Sequence, residues 1–382
     1  MQKPFDMRLI QRGARLKRSP YFEATQRAGC WGYTVYNHTF LPIGYADLQR
    51  EYWNLLEGVT LWDVSVERNV EIAGPDAYRF MSLLTPRDLS KCAPGHGRYV
   101  LLTAADGGIV NDPVLLRIEE DRFWLAAADS DVFLWAEGVA LNSGMDVDIR
   151  ELDVAPMQVQ GPKSRNVMQD LFGERVLTLA YYEFFETTLG TIPLIVTRTG
   201  WTGELGYEIY LLDCARGLEL WDRIIGAGER YGIVPTGPSD IRRIEAGILN
   251  YGIDMTLAMN PYEVGLERLV NLEKPEPFIG RDALQQLAAE GVQRKVVGVE
   301  IDGEPLDLNM THWPVRDGNV PLGDVTSAVY SPRLAKNIGY AMVPIRYTAF
   351  GTRLLVDTCG GERDAVVVPI PFIDPAKALA KG

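Results

Sequence analysis

Apolar positions along the chain fall into two rhythms, one repeating every three or four residues and one repeating every second residue. The first marks amphipathic helices and the second marks strands with one buried face. Leu48, Tyr52, Leu55 and Leu56 share one face of a helix predicted over 47–57. Before it, short aromatic runs such as YTVYNH, between Tyr21 and Tyr45, predict strands and turns. The segment 215–231, ARGLELWDRIIGAGERY, predicts a second amphipathic helix. Its Gly226 and Gly228 sit near the end of that helix rather than between strand and helix, so they are not a dinucleotide loop. Another helix starts near Ser239, which with Asp240 can cap it. Beyond about Leu284 the rhythm changes to runs such as KVVGVEID, VPLGDVTSAVYS and AVVVPIPF, which predict a C-terminal β-barrel or jelly roll.

A weak internal repeat underlies the first two thirds. VEIAGPDAYRFMSLL and MQVQGPKSRNVMQDLF share an order of alternating strand, Gly-Pro turn and amphipathic helix. Gly74 and Gly161 lie 87 positions apart, and Met81 and Met168 follow their prolines at the same spacing. Each copy continues into sequence of hairpin type. Two copies with similar sequels predict a duplicated α+β unit.

Composition narrows the function classes. A formal net charge of −13 makes nucleic acid an improbable partner. Cys30, Cys92, Cys214 and Cys359 are widely separated with no CxxC pair, which argues against a disulfide scaffold or structural zinc site and for a reducing, cytoplasmic setting. No apolar run reaches membrane-spanning length, and residues 1–20 read as an exposed basic arm rather than a signal peptide. His38, His96 and His312 form no ligand pair, so a metal site is not expected. Neither a nucleophile elbow nor a phosphate-binding P-loop is present.

Two acidic segments carry candidate chemistry. In GGIVNDPV, Asn111 and Asp112 stand inside an otherwise apolar strand. A buried carboxylate there must be hydrogen-bonded or shifted in pKa; the competing reading is a turn-proximal acid facing water. In RTGWTGELGYEIYL, Glu208 alternates with Tyr207 and Ile209, so it points away from them. Here too, a solvated strand face is the competing reading.

In order along the chain, WDVSVER, GGIVNDPV, RTGWTGELGYEI, RIEAGILNYGIDM, NPYEVGLERLVNLEKPEPFIGRDAL and SAVYSPRLAKNIGYAMV resemble segments of the glycine-cleavage T-protein (aminomethyltransferase) family. The resemblance implies an α+β, three-lobed fold around a central folate-binding hole, closed by a C-terminal β-barrel or jelly roll. It places a folate-binding domain at 1–55 plus 150–245, a second α+β domain at 56–149, a connecting segment at 246–285 and the barrel at 286–382. It implies tetrahydrofolate as cofactor, with Asp112 beside the reactive pterin nitrogens and as the catalytic residue. Glu208 matches the acid that holds the amino-pyrimidine edge, and Trp201 and Tyr99 match folate-contacting aromatics.

Departures from the family pattern also matter. FDVSHM has become WDVSVER, and an arginine of the folate contacts aligns with Ser239. YFEATQRAG, YTVYNHTFLP and VQGPKS look closer to the dimethylsulfoniopropionate demethylase branch, although Thr202-Gly203-Glu204 stays T-protein-like. The implied reaction is methyl transfer from a small methylated donor to nitrogen 5 of tetrahydrofolate. For a cationic donor, Trp31, Tyr33 and Tyr36 are candidates for an aromatic wall. Aminomethyl transfer, O-demethylation of methoxylated aromatics and a non-catalytic folate-binding module remain as alternatives, and a homodimer stays open.

Overall fold

The computed structural model describes residues 15–382. The repeat seen in the sequence is a repeat of structure. The strands Arg68–Ala73 and Ala155–Gln160 each end at a Gly-Pro turn and lead into the helices Ala77–Leu84 and Ser164–Phe172. Both turn glycines have positive φ, +122° at Gly74 and +114° at Gly161. A Cβ on Gly161 would lie 2.6 Å from the Gly58 carbonyl oxygen, so the close approach itself requires glycine. Met81 and Met168 are fully buried, each in the core of its own lobe.

Two sheets result. One runs Phe184–Leu189, Ile192–Thr197, Gly206–Leu211, Ala155–Gln160, Thr60–Asp63 and Val234–Pro235. The other runs Asp148–Leu152, Arg68–Ala73, Arg122–Ala127, Val114–Glu119 and His96–Tyr99. The strand leading into each repeat is lent to the opposite sheet. Thr60–Asp63 precedes the first repeat but pairs with Ala155–Gln160, while Asp148–Leu152 precedes the second but pairs with Arg68–Ala73. This reciprocal exchange ties the two lobes together, and it places residues 64–67 on a crossover between the sheets. Thr60–Asp63, assigned from sequence to the second domain, thus pairs within the first sheet.

The sheets meet through a cluster in which Leu116, Ile118, Trp124 and Ala126 of one pack against Phe184, Ile195 and Tyr210 of the other. The expected basic arm is tied down where it is described. Lys17 N donates to the His38 carbonyl at 2.8 Å, and Ser19 Oγ donates to Asp63 at 2.5 Å. The rest of the arm, residues 1–14, lies outside the described residues. The aromatic run after it forms a hairpin of Gly32–Tyr36 and Thr39–Gly44, with Asn37 and His38 both at positive φ in the turn.

The C-terminal strands from Arg294 to Val368 close into a six-stranded barrel. It joins the lobes through a mixed core that includes Tyr52, Leu101, Ile109, Ile244, Met255 and Tyr340. Buried ions brace the same junction. Arg243 reaches Asp240 at 2.6 Å and Asp254 at 2.8 Å, and its guanidinium donates to Ser327 of the barrel at 2.9 Å. Among the described residues no helix is long and apolar enough to cross a membrane.

Candidate active site

Asp112 lies not within one strand, as expected, but between two, Ile109–Asn111 and Val114–Glu119. Pro113 follows it, and proline biases the preceding residue to extended backbone. The chain therefore changes partners here without turning. Asn111 is fully buried and structural: its Nδ2 donates to Ser130 Oγ at 2.7 Å, and its Oδ1 accepts from Ala128 N at 3.2 Å. Asp112 points elsewhere. The Tyr99 hydroxyl donates to its Oδ2 at 2.9 Å. Its Oδ1 is closed to water and has no hydrogen-bond partner among the described residues. Burial pushes the Asp112 carboxyl up to about 7, the Tyr99 hydrogen bond pulling weakly the other way.

Glu208 occupies the strand Gly206–Leu211, where Tyr207, Ile209 and Leu211 enter the lobe core. Strand alternation puts Glu208 and Tyr210 on the opposite face. That face is not solvated: Glu208 is 5% exposed, which overturns the surface reading. Its carboxylate accepts from Gln158 Nε2 at 2.8 Å, Thr199 Oγ1 at 2.7 Å and the Tyr210 hydroxyl at 3.1 Å. Gln158 stands directly opposite Glu208 in the β-ladder. Gln158 is 1% exposed, and its Oε1 has no partner among the described residues. Burial raises the Glu208 pKa, and the hydrogen bonds from Thr199, Tyr210 and Gln158 oppose that rise.

A third acid, absent from the sequence expectations, completes the group. Glu67 ends the crossover between the sheets and is partly accessible. Burial pushes its pKa well up, and the nearby charges of Glu208 and Asp112 push it further. Burial raises the Tyr36 phenol, and the charges of Asp112 and Glu67 push it further. Tyr251 lies beside Asp112 and donates to the Ile109 carbonyl at 3.1 Å.

The structure does not gather every expected residue. Tyr33 is core, packed on Phe22 and Phe40, with its hydroxyl 2.7 Å from Thr25 Oγ1. Trp31 is 45% exposed, its ring laid over Gly44 and its indole donating to the Ala46 carbonyl at 3.3 Å. Of the two tyrosines in the proposed aromatic wall, Tyr36 is the one whose phenol Asp112 and Glu67 push up. Trp201 is half-buried in the turn before Gly206–Leu211, with the Arg243 guanidinium 5.6 Å from its ring centre. Ser239 caps its helix by accepting from Arg242 N at 3.3 Å. The Arg242 side chain is fully buried against Glu204 at 2.7 Å.

Tyr210 was open to sequence reasoning, because it lies two positions from Glu208 on the same strand face. Gln158 required the ladder register, and Glu67 required the strand exchange. Together the residues offer acceptors. Asp112 Oδ1 and Gln158 Oε1 are buried and unanswered, and Glu208 stands beside the second of them. Buried acceptors are nearly always satisfied, so this set calls for a ligand rich in N–H donors.

Comparison with known proteins agrees with the fold. Residues 21–274 match the GCVT N-terminal domain, and residues 294–374 match the glycine cleavage T-protein C-terminal barrel domain. The chain is 37% identical to a dimethylsulfoniopropionate demethylase of Ruegeria pomeroyi, over 92% of this chain and 96% of that one. It is 32% identical to an aminomethyltransferase of Symbiobacterium thermophilum, over 94% and 97% of the two chains. The crystal structure of glycine cleavage system aminomethyltransferase T from Bartonella henselae superposes with a TM-score of 0.85 at 27% identity, covering 94% of this chain and 98% of that one.

Proposed function

The chain belongs to the glycine cleavage T-protein family and is a one-carbon transferase; on that footing we propose that it moves a methyl group from a small methylated donor to nitrogen 5 of tetrahydrofolate. Dimethylsulfoniopropionate is the donor best supported, by the likeness to the demethylase. The observation that carries the folate assignment is the pair of unanswered buried acceptors, Asp112 Oδ1 and Gln158 Oε1. A reduced pterin brings N–H donors on its amino-pyrimidine edge and around its reactive ring, so the residues fit it.

Tetrahydrofolate supplies a nucleophilic nitrogen. Glu208, held by Thr199, Tyr210 and Gln158, binds the amino-pyrimidine edge through charge-assisted hydrogen bonds. Asp112 faces the reacting edge, fixed by Tyr99 through one oxygen and free to accept through the other. With a sulfonium donor, the carbon–sulfur bond breaks as the carbon–nitrogen bond forms, and the electron pair leaves on a neutral thioether. Little acid catalysis is needed, so most of the acceleration comes from alignment. Asp112 stabilises the positive charge that builds on nitrogen and takes up the proton it sheds. A carboxyl titrating at about 7 suits that exchange near neutral pH.

The competing reading, aminomethyl transfer, draws on Thr202-Gly203-Glu204. Those residues have structural duties here: Thr202 Oγ1 donates to Gln160 Oε1 at 2.8 Å, and Glu204 pairs with Arg242. They therefore say little about the donor. Incubation with tetrahydrofolate and a panel of donors decides the matter. Formation of 5-methyltetrahydrofolate from dimethylsulfoniopropionate supports the proposal. Methylation from aryl methyl ethers alone overturns dimethylsulfoniopropionate as the donor, and methylenetetrahydrofolate from an aminomethyl carrier overturns methyl transfer itself.

A further inference from the structure

The Glu208 carboxylate is nearly full before any ligand arrives. An ionised carboxylate offers about four acceptor places, two on each oxygen. Thr199 Oγ1 and the Tyr210 hydroxyl donate to Oε2 at 2.7 and 3.1 Å, which fills that oxygen. Gln158 Nε2 donates to Oε1 at 2.8 Å, which leaves one place there. Two N–H donors of a ligand therefore cannot both be received by Glu208, and a second acceptor has to stand beside it.

Gln158 supplies that acceptor. With its Nε2 held by Glu208, its Oε1 is the other corner of the same amide, buried and without a partner among the described residues. The reverse placement of the amide would set its oxygen against the carboxylate, two acceptors facing each other. The nearby donors are committed. Trp62, opposite Gln158 on the other side of the ladder, donates from Nε1 to Thr60 Oγ1 at 2.7 Å, and Tyr210 serves Glu208. Gln160, two positions on and on the same strand face, shows the contrast. Its Nε2 donates to the Thr199 and Tyr207 carbonyls at 3.2 and 3.3 Å, and its Oε1 accepts from Thr202 Oγ1 at 2.8 Å. One buried glutamine is answered wholly by the protein and the other is not. A buried acceptor left open costs stability, and so marks a place that a ligand donor fills.

We infer that Gln158 is a cofactor-binding and specificity-determining residue: the last place on Glu208 Oε1 and the open Oε1 of Gln158 form a mixed acid–amide clamp for an amino group. An amino group carries two diverging hydrogens and can answer two neighbouring acceptors at once. On a pterin that group is the exocyclic amine of the amino-pyrimidine ring. The inference rests on the folate reading and deepens it. Because Gln158 and Glu208 stand directly opposite on adjacent strands, the sheet itself sets the spacing of the clamp.

Calorimetry on the full-length protein compares tetrahydrofolate with 2-desamino-tetrahydrofolate, which lacks only that amine. The wild type should bind tetrahydrofolate about tenfold or more tightly than the desamino compound. Q158L should bind tetrahydrofolate about tenfold more weakly than wild type, yet bind the desamino compound within about twofold of it. The preference for the amine should thus narrow in the variant. Equal binding of the two ligands by the wild type overturns the inference without any variant. A Q158L protein that loses both ligands alike overturns it as well, because the residue then acts only on the fold. Undiminished tetrahydrofolate affinity in Q158L overturns it a third way, since water rather than cofactor would answer the oxygen. Failure of the wild type to take up tetrahydrofolate sinks the folate proposal itself, whereas normal uptake indifferent to the amine sinks only the role of Gln158.

Discussion

The Tyr99 hydroxyl holds one oxygen of Asp112 at 2.9 Å while the other oxygen, shut from water, has no partner among the described residues. Half of the carboxylate is thus anchored and half is reserved. An anchored acid with an open acceptor is positioned for a ligand atom whose charge changes during reaction.

Asp112→Asn keeps the shape and removes both the charge and the proton-accepting capacity. Turnover should fall by roughly 100-fold or more, the usual scale for a lost general base. Affinity for tetrahydrofolate should fall much less, because Glu208 and Gln158 remain. Steady-state kinetics alongside a folate titration measures both. Unchanged turnover would remove Asp112 from the mechanism.

The raised Asp112 pKa has two consequences of opposite sign. As a base it must be ionised, so kcat/KM should rise with pH through about 7 and then level. For stability the direction reverses. A carboxyl at 3.8 when unfolded and about 7 when folded contributes stability below 3.8, and that contribution is lost as pH rises through 7. Asp112→Asn should therefore be more stable than wild type near pH 8, by roughly 1–4 kcal/mol. The gain should shrink toward pH 4. Thermal melts across pH read it directly, and a pH-independent difference would contradict the buried acid.

Glu208→Gln tests the other end of the ligand. A charge-assisted hydrogen bond is worth about 1.5–3 kcal/mol, so tetrahydrofolate should bind roughly 10- to 100-fold more weakly. At saturating folate, kcat should change far less than in Asp112→Asn. Equal affinity in the two proteins would show that the pterin edge lies elsewhere.

Local pattern made the elements legible, and pairing decided where they went. The helices at Leu48–Glu57 and Gly217–Gly228 follow from apolar spacing alone, and the duplicated Gly-Pro turns mark the two repeats. The exchange of Thr60–Asp63 and Asp148–Leu152 between sheets is non-local, and no periodicity encodes it. For that reason Asp112 and Glu208 could be singled out through motifs, while Glu67 and Gln158 could not. The expected aromatic wall breaks up for a related reason. Trp31, Tyr33 and Tyr36 lie on one short stretch, but Tyr33 enters the Phe22–Phe40 core and the Trp31 indole lies over Gly44.

The repeat turns offer a test of the architecture that is separate from catalysis. At Gly161 a Cβ would lie 2.6 Å from the Gly58 oxygen and 2.7 Å from the Leu55 oxygen, both backbone atoms with little freedom to retreat. Gly161→Ala should therefore cost roughly 2–4 kcal/mol, combining backbone strain with overpacking. Gly232 provides the control: its φ is +76° and a Cβ there would meet nothing within 4 Å, so Gly232→Ala carries the left-handed penalty alone, about 1–2 kcal/mol. Urea denaturation of the two variants should separate them clearly. Because the Leu55–Gly58 segment leads directly into Thr60–Asp63, the strand lent to the second repeat's sheet, Gly161→Ala should also loosen the crossover that presents Glu67. Faster amide exchange over residues 60–67 in that variant, and not in Gly232→Ala, is the expected signature. Equal destabilisation with no local change in exchange would mean the close approach at Gly161 does not hold the lobes together.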